Sequence, residues 1–418
     1  MKRALDRDAE TVVIGGGIVG ICSAHVLAER GSSVILVERG EIARGASFGN
    51  AGAFAFSDIL PLASPGIMRR APRWLADPLG PLSVRPAYLP KIAPWLWRFW
   101  RASSAEACRH STRAQAGLMR LARSETHRLI EAAGLQSLLR SDGNLELYES
   151  SRELDATRAS WAAREREGIE FRHLAGEAIA EYQPGLSPRF THATFVPGWQ
   201  SISDPYDYAN ALWQSAAAAG AMHRLGEVSG IETDEDGVTV ALADGSRIRA
   251  HHAVVAAGAW SKPLAAMLGD RIPLDTERGY NTTLPADAFD VKRQLTFGGH
   301  GFVVSRLSSG IRVGGAVEFA GLDLPANFRR SEAMLRKAKS FLPGLRTEGG
   351  RQWMGFRPSL PDSLPVIGRS TASPRVVHAF GHGHLGLTQS AATARLVADL
   401  VTDRPPAIDL SPFRPSRF

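Results

Sequence analysis

Between Thr11 and Gly40 the chain reads TVVIGGGIVGICSAHVLAERGSSVILVERG, and the residues there that can do chemistry are three glycines and one acid. Gly15, Gly17 and Gly20 stand in GxGxxG spacing. The first permits a sharp turn out of a strand, the second lets a pyrophosphate approach the backbone, and the third lets the following helix pack closely on the sheet. A helix starting at Ile18 and Val19 offers unpaired N–H groups and a positive dipole end to the phosphates. Glu38, with Arg39 beside it, stands where a carboxylate can accept hydrogen bonds from both ribose hydroxyls of an adenosine. It repels a 2′-phosphate, which disfavours NADP.

These residues need a βαβ frame, and the flanking sequence supplies one. Thr11–Ile14 has the β-branched, apolar character of a strand buried on both faces. Residues 18–30 predict a helix stopped by Gly31, and Val34–Val37 a second buried strand. That unit alone does not separate NAD from FAD. Three further segments favour FAD. Gly45, Ser47, Gly49, Asn50 and Gly52, with Ala46 and Ala51 among them, make a second small-residue loop past which a long cofactor can run. Ala253–Gly258 is a short apolar strand ending at Ala257 and Gly258, followed by Trp260. A hairpin of Val238–Leu242 and Arg247–Ala250, turning at Asp244-Gly245, precedes it. Val376–Phe380 predicts a strand, then a glycine turn, then a helix from about Leu387 to Val401 whose N-terminus suits an anionic reduced flavin.

The motifs VVIGGGIVG with Glu38, GASFGNAG, Asp204-Pro205 opening a helix, VVAAGAWS, ERGY at Glu277–Tyr280, and GFRPSLPDSLPVIG at Gly355–Gly368 followed by GHGHLGLT run in order over nearly the whole chain. Together they resemble the FAD-dependent amine and amino-acid oxidoreductases of the D-amino-acid oxidase superfamily, most closely the bacterial D-amino-acid and hydroxyproline dehydrogenases. The resemblance implies an α/β fold: a glutathione-reductase-like FAD-binding Rossmann domain from residues 1–55, 203–270 and 350–418, and a substrate domain with a mostly antiparallel sheet. The latter would comprise residues 56–202 and 271–349, with 60–103 a Trp/Arg/Pro-rich insertion. It implies that the backbone of Val228 meets the adenine. It also implies that the turn through Gly381, Gly383, His384, Leu385, Gly386, Leu387 and Thr388 meets the cofactor. Relatives with covalent flavin attach it through a histidine in the loop after the acid or a cysteine in the second half. Here the loop has Phe48 and no cysteine follows Cys108, so FAD is expected to be non-covalent.

Under the same resemblance Arg357 matches the arginine that receives a substrate carboxylate, a task suited to a planar guanidinium. Pairing with Asp362 is the structural alternative. Tyr280 falls on a strand over the flavin face, where its hydroxyl could share that carboxylate, or it is an ordinary packed tyrosine. Arg278, two residues away, shares its face in a strand. His384 is expected to touch the substrate or the ring edge and to help set specificity. His382 is expected to support the glycine turn, and His300 is an additional candidate. Ser47 and Asn50 are expected to position cofactor, and Glu318 to be a structural carboxylate. The implied reaction needs little acid–base chemistry: the clamped amino acid gives a Cα hydride to flavin N5, and the imino acid then hydrolyses or cyclises.

Bulk composition agrees. The chain has 418 residues, 44% of them hydrophobic, and a net charge of +7, enough for two globular domains. The basic residues are mostly arginine, which fits either an anionic partner or an arginine-rich genome. No long basic run points to nucleic acid. Cys22 and Cys108 make neither a disulfide framework nor a metal site, so no metal is expected and a reducing compartment fits. Thr11–Leu27 is too interrupted for a signal peptide or a membrane span. Arg69–Ser103 mixes Trp74, Trp95, Trp97, Phe99 and Trp100 with Arg69, Arg70, Arg73, Arg98 and Arg101. That mixture suits either an insertion packed on the substrate domain or a peripheral membrane contact, with a quinone or other carrier as electron acceptor. Its prolines should prevent one long helix. The expected location is cytoplasmic or on the inner face of the membrane, and no pattern sets an oligomeric state. Two other readings remain: an amino-acid or sarcosine-type oxidase that makes hydrogen peroxide, and a non-catalytic binding protein on the same fold.

Overall fold

The strand Ala9–Ile14 is the centre of a parallel sheet, flanked by Val34–Glu38 and Arg247–Val255. The computed structural model describes residues 8–67, 80 and 82–418. Met222–Leu225 and Val376–Phe380 extend the sheet on either side, both in parallel register. Arg247–Val255 serves two neighbours on one edge. Its first half pairs antiparallel with Val238–Leu242, which continues to Val228–Thr233, and its second half takes Val376–Phe380. Val13, Leu36 and Val254 belong to one apolar cluster, and Val12, Val37 and Val255 to another on the opposite face. Burial on both faces is why these strands read as continuous apolar runs without alternation.

The helix Ile18–Glu29 follows the first strand. It closes with Gly31 at φ +83°, where the N–H groups of Gly31 and Ser32 return to the carbonyls of Ala28 and Leu27, a Schellman ending that a glycine favours. A Cβ on Gly20 would lie 1.9 Å from the carbonyl oxygen of Gly15. The third glycine is therefore fixed by helix–turn packing.

A second sheet runs in the order Arg351–Ser359, Asp275–Leu284, Gly310–Phe319, Phe302–Leu307, Gln294–Phe297, Asn144–Tyr148, His192–Val196 and Arg172–Ala175. It is antiparallel except between Gln294–Phe297 and Asn144–Tyr148, and where Leu82–Val84 joins Gly310–Phe319. One face packs Phe297, Phe302 and Val304 on Met334, Ala338 and Phe341 of the helix Arg329–Phe341.

Two elements depart from the expected division of the chain. Arg351–Ser359, expected with residues 350–418 in the cofactor domain, is the edge strand of the second sheet, paired from Thr283↔Arg351 to Asp275↔Ser359. The helix Ala105–Ala132, expected in the substrate portion, sends Leu118, Ala122 and Leu129 into the apolar cluster of Ile18–Glu29 and the last helix, Gly386–Val401. Their spacing makes one stripe along the helix, and the stripe decides where it docks.

Of the aromatic insertion, Arg69, Arg70, Arg73 and Trp74 lie outside the described residues. Trp95, Trp97, Arg98, Phe99, Trp100 and Arg101 lie on the helix Leu89–Ala102, with Pro94 inside it, separated from Ala105–Ala132 at Ser103 and Ser104. Ile92 and Trp95 are buried against Phe319. Trp97 and Trp100 are 58% and 50% exposed. No described helix is long and apolar enough to cross a membrane.

Candidate active site

A cavity of about 1600 Å³ opens between the two sheets, with lining from both. At one end lies the glycine turn. Gly15 has φ +113°, and a Cβ there would come 2.5 Å from the Ala256 carbonyl oxygen. Gly17 caps the helix with an extended backbone. Ser47 Oγ accepts the Ile18 N–H at 2.9 Å, tying the second loop to the helix start. The Glu38 carboxylate accepts the N–H groups of Gly16 at 2.6 Å and Gly40 at 3.1 Å. Val19, Ala46, Ala51, Val228, Ala257 and Gly258 line the same space. The Arg39 guanidinium stacks 4.0 Å from the centre of the Trp260 ring.

The second loop is fastened from the far sheet. Asn50 Oδ1 accepts the Gly52 N–H at 2.8 Å, so this side chain shapes the loop. Arg312 Nη1 donates to the carbonyls of Phe48 and Asn50, and Arg312 Nε donates to Thr283. Burial pushes the Arg312 pKa down to about 10. Asn281 Nδ2 donates to the Gly49 carbonyl at 3.0 Å. The Trp353 ring lies against the backbones of Gly49 and Gly355, where a Cβ would approach it within 1.9 Å. Gly20, Gly52 and Gly381 do not line the cavity. They serve it through packing, as Gly381 does at φ +89° beneath Leu360.

The first turn of Gly386–Val401, through Leu387 and Thr388, also lines the cavity, which opens its unpaired N–H groups to that space. Thr388 Oγ1 donates to the Ala53 carbonyl and accepts the Ala55 N–H, joining this helix to the second loop. Bare glycine backbone, a carboxylate at its rim and two helix starts on one elongated cavity fit a dinucleotide with a long second half, as FAD has.

Arg357 lines the cavity from the edge strand. Its Nη1 donates to the Ala316 carbonyl at 2.8 Å and its Nη2 to the Gly315 carbonyl at 3.4 Å. The carbonyl of Ala316 is presented by an irregular turn of the strand, with φ +57° at that residue. The alternative partner, Asp362, is bonded instead by Arg417 at 2.7 Å. Among the described residues no acid forms an ion pair with Arg357. Burial lowers its pKa and the Glu277 charge raises it, and a guanidinium so placed keeps its charge.

Tyr280 lines the same cavity as Arg357 but does not share its face of the sheet. It pairs across the ladder with Met354, whereas Arg357 pairs with Glu277, so the two side chains leave opposite faces of the sheet. Tyr280 is 1% exposed within the apolar cluster of the second sheet. Its hydroxyl donates to Glu318 Oε2 at 2.5 Å and accepts the Asn327 N–H at 3.0 Å. The expected sharing of a carboxylate by Tyr280 and Arg357 is therefore not what the geometry offers. Glu318 is a structural carboxylate, also bonded by Arg85 at 2.8 Å. Arg278 is fully buried and spends its guanidinium on the carbonyls of Gly321, Pro325 and Ala320.

His384 lines the cavity and bonds Asp58 Oδ2 through Nε2 at 3.1 Å. Asp58 in turn lies 3.6 Å from Arg164. Burial alone would raise the Asp58 pKa, but the bond and charge of His384 and the charge of Arg164 leave it below its ordinary value. His382 turns its Nε2 to Thr393 at 2.9 Å, and burial pushes its pKa down to about 3, so it is a neutral brace of the turn. His300 is bonded to Glu149 at 2.7 Å and does not line the cavity. Cys22 is buried, its thiol pushed up to about 12. Asp58, Arg164, Arg312 and Trp353 were missed in the sequence. Each comes from a separate segment without motif spacing, and only the lone arginine within the apolar run GIRVGG gave a signal.

The sequence model of the family described as FAD dependent oxidoreductase (DAO) matches residues 10–400. The chain is 36% identical over 413 residues to a D-amino-acid oxidase of Bradyrhizobium diazoefficiens, covering 97% of this chain and 98% of that protein. It is 33% identical over 403 residues to a D-amino acid dehydrogenase of Xylella fastidiosa, covering 94% and 92%. Among solved structures, glycine oxidase from Geobacillus kaustophilus superposes with a TM-score of 0.76 at 24% identity, covering 98% of this chain and 99% of that one. L-proline dehydrogenase from P. horikoshii gives a TM-score of 0.76 at 21% identity, covering 99% and 98%.

Proposed function

The chain belongs to the DAO family of FAD-dependent oxidoreductases, and from that premise we propose that it dehydrogenates a D-amino acid or a D-proline-type cyclic imino acid whose carboxylate is held by Arg357. It is an FAD-dependent amino-acid oxidase or dehydrogenase, which removes the non-catalytic reading. The D-configuration is supported by the names of the two relatives, and the cyclic class by the GHGHLGL turn. The resemblance, with Phe48 in the loop after Glu38 and no cysteine after Cys108, supports non-covalent FAD.

One observation carries the substrate assignment: a cavity-facing guanidinium bonded to two backbone carbonyls and paired with no described acid. Bound FAD supplies the two-electron acceptor for the Cα hydride. The chain supplies position. Arg357 fixes the carboxylate in a partly desolvated site, where the charge pair is stronger than in water. The bare Gly279 backbone beneath the guanidinium leaves it room. Positioning of this kind contributes on the order of 7–11 kcal/mol, so no strong general base is required. The imino acid leaves and reacts with water.

The electron acceptor is a second matter. Exposed Trp97 and Trp100, beside Lys91, Arg98 and Arg101 on a helix without an acid, support contact with an anionic membrane surface and a quinone acceptor. Leu89, Leu96 and Phe99 of that helix line the cavity, which brings the surface close to the site. The oxygen-using alternative draws on the oxidase name of the first relative.

The test is a panel of D- and L-amino acids, prolines, hydroxyprolines and N-methylglycines, scored anaerobically by flavin bleaching. D-amino or D-imino acids should bleach the flavin, and bleaching by L-acids or N-methylglycines alone would reject the assignment. Reoxidation by dye without peroxide would exclude the oxidase reading.

A further inference from the structure

His384 and Asp58 form a polar patch beside an apolar cluster. Around them stand Ala55, Ile59, Leu385, Leu60 and Trp199, which form one apolar cluster with neighbouring residues. The two side chains come from distant segments, yet both face the cavity. The turn Gly383–Leu385 lies against the strand Arg351–Ser359, with Cα atoms within 8 Å. The patch is therefore beside the element that carries Arg357.

Its chemistry is defined. Asp58 is charge-matched: its second oxygen lies 3.6 Å from Arg164, whose Nε is fixed on the Ser57 carbonyl at 3.0 Å. Gln115 holds the Asp58 carbonyl at 3.1 Å. With Nε2 turned to Asp58, Nδ1 is the remaining hydrogen-bonding nitrogen of the His384 ring. No described group bonds Nδ1, and the side chain is 38% exposed. Glu146 stands behind the patch, its pKa raised by burial and by Asp58 against the pull of Arg164 and Tyr148. With Asp58 already balanced by Arg164, the patch suits a neutral hydrogen-bonding group better than a cation.

Resting on the assignment of Arg357 as the carboxylate site, we propose that Asp58 and His384 form the side-chain subsite and select substrates that carry a hydroxyl, such as a hydroxylated D-proline. His384 Nδ1 bonds the substrate hydroxyl, and Asp58 fixes the ring. A substrate without the hydroxyl leaves that nitrogen unpaired among apolar side chains, which costs affinity.

The test uses the FAD-loaded enzyme and two matched pairs, cis-4-hydroxy-D-proline against D-proline and D-serine against D-alanine. In at least one pair the hydroxylated member should have the higher kcat/KM, by on the order of tenfold. His384→Leu should bring that ratio close to one, His384→Gln should keep part of it, and Asp58→Asn should reduce it by freeing the ring. No hydroxyl preference in either pair, or a preference unchanged in His384→Leu, overturns the subsite. Failure of the Arg357 assignment is separate, because it would leave the affinity of every carboxylate untouched by Arg357→Lys whatever the hydroxyl ratio.

Discussion

Glu277 and Arg357 are register partners across the ladder of Asp275–Leu284 and Arg351–Ser359, yet they form no ion pair. Glu277 instead accepts the Ser359 hydroxyl at 2.6 Å, and Arg357 gives its guanidinium to two backbone carbonyls. An acid near enough to favour the cation, but bonded elsewhere, leaves Arg357 charged, oriented and open to an anionic ligand. Breaking a buried charge pair would have cost several kcal/mol on substrate entry. Here there is none to break.

Gly279 tests that orientation. A Cβ there would meet Arg357 Nη2 at 2.4 Å, and the flexible guanidinium can yield. Gly279→Ala should raise the dissociation constant of carboxylate substrates on the order of tenfold, while the protein keeps its FAD and its thermal midpoint. Unchanged substrate affinity with intact FAD would mean that the guanidinium position is immaterial.

Glu38 tests the cofactor end. Its two oxygens are charge-assisted acceptors at the rim of the glycine cradle. Glu38→Gln keeps the shape and removes the charge. FAD affinity should fall by roughly 10- to 100-fold, the value of about 1.5–3 kcal/mol for hydrogen bonds to a charged group. Equilibrium dialysis with fluorescence of free flavin reads this directly. Equal retention of FAD would remove Glu38 from the site.

His382 gives the chain a pH signature. Burial lowers its folded pKa to about 3, against about 6.5 in an unfolded chain. Between those values the unfolded state binds the extra proton, so stability falls as pH falls from about 6.5 towards 3. His382→Gln, which can still bond Thr393, should flatten that slope by up to about 1.4 kcal/mol per pH unit. Urea titrations of the two proteins from pH 4 to 7 measure the difference. Parallel pH profiles would contradict a buried neutral imidazole.

Trp97 and Trp100, with rings 4.8 Å apart, test the membrane reading. Sedimentation with anionic vesicles should retain the wild-type protein at low salt, and Trp97→Ala/Trp100→Ala should lose most of that binding. Equal sedimentation with neutral and anionic vesicles, or no binding, argues for a soluble carrier.

Local rules made the cofactor half readable. Gly15, Gly17, Gly20 and Glu38 fall within one βαβ unit, and the strands Val34–Glu38 and Val376–Phe380 are buried on both faces, so their composition announces them. In the substrate half, a motif marked Arg357, which lines the cavity, and little else there was marked. Tyr280 illustrates the limit. Its place on a strand was readable, but its face depends on register with Met354, which sequence spacing does not encode. Asp58 and His384 meet through tertiary packing across most of the chain. The helix Ala105–Ala132 shows an apolar stripe in sequence, but nothing local says which sheet the stripe will meet.

The central claim is that Arg357 binds the substrate carboxylate in an FAD enzyme for D-amino or D-imino acids. The most direct measurement is anaerobic flavin bleaching of wild-type and Arg357→Lys protein, titrated with each substrate that reduces the wild-type flavin. Lysine keeps the charge and loses the planar two-point grip. The dissociation constant should rise about 10- to 100-fold for every such substrate, with the oxidised flavin spectrum and FAD content unchanged. Equal dissociation constants in the two proteins would contradict the assignment.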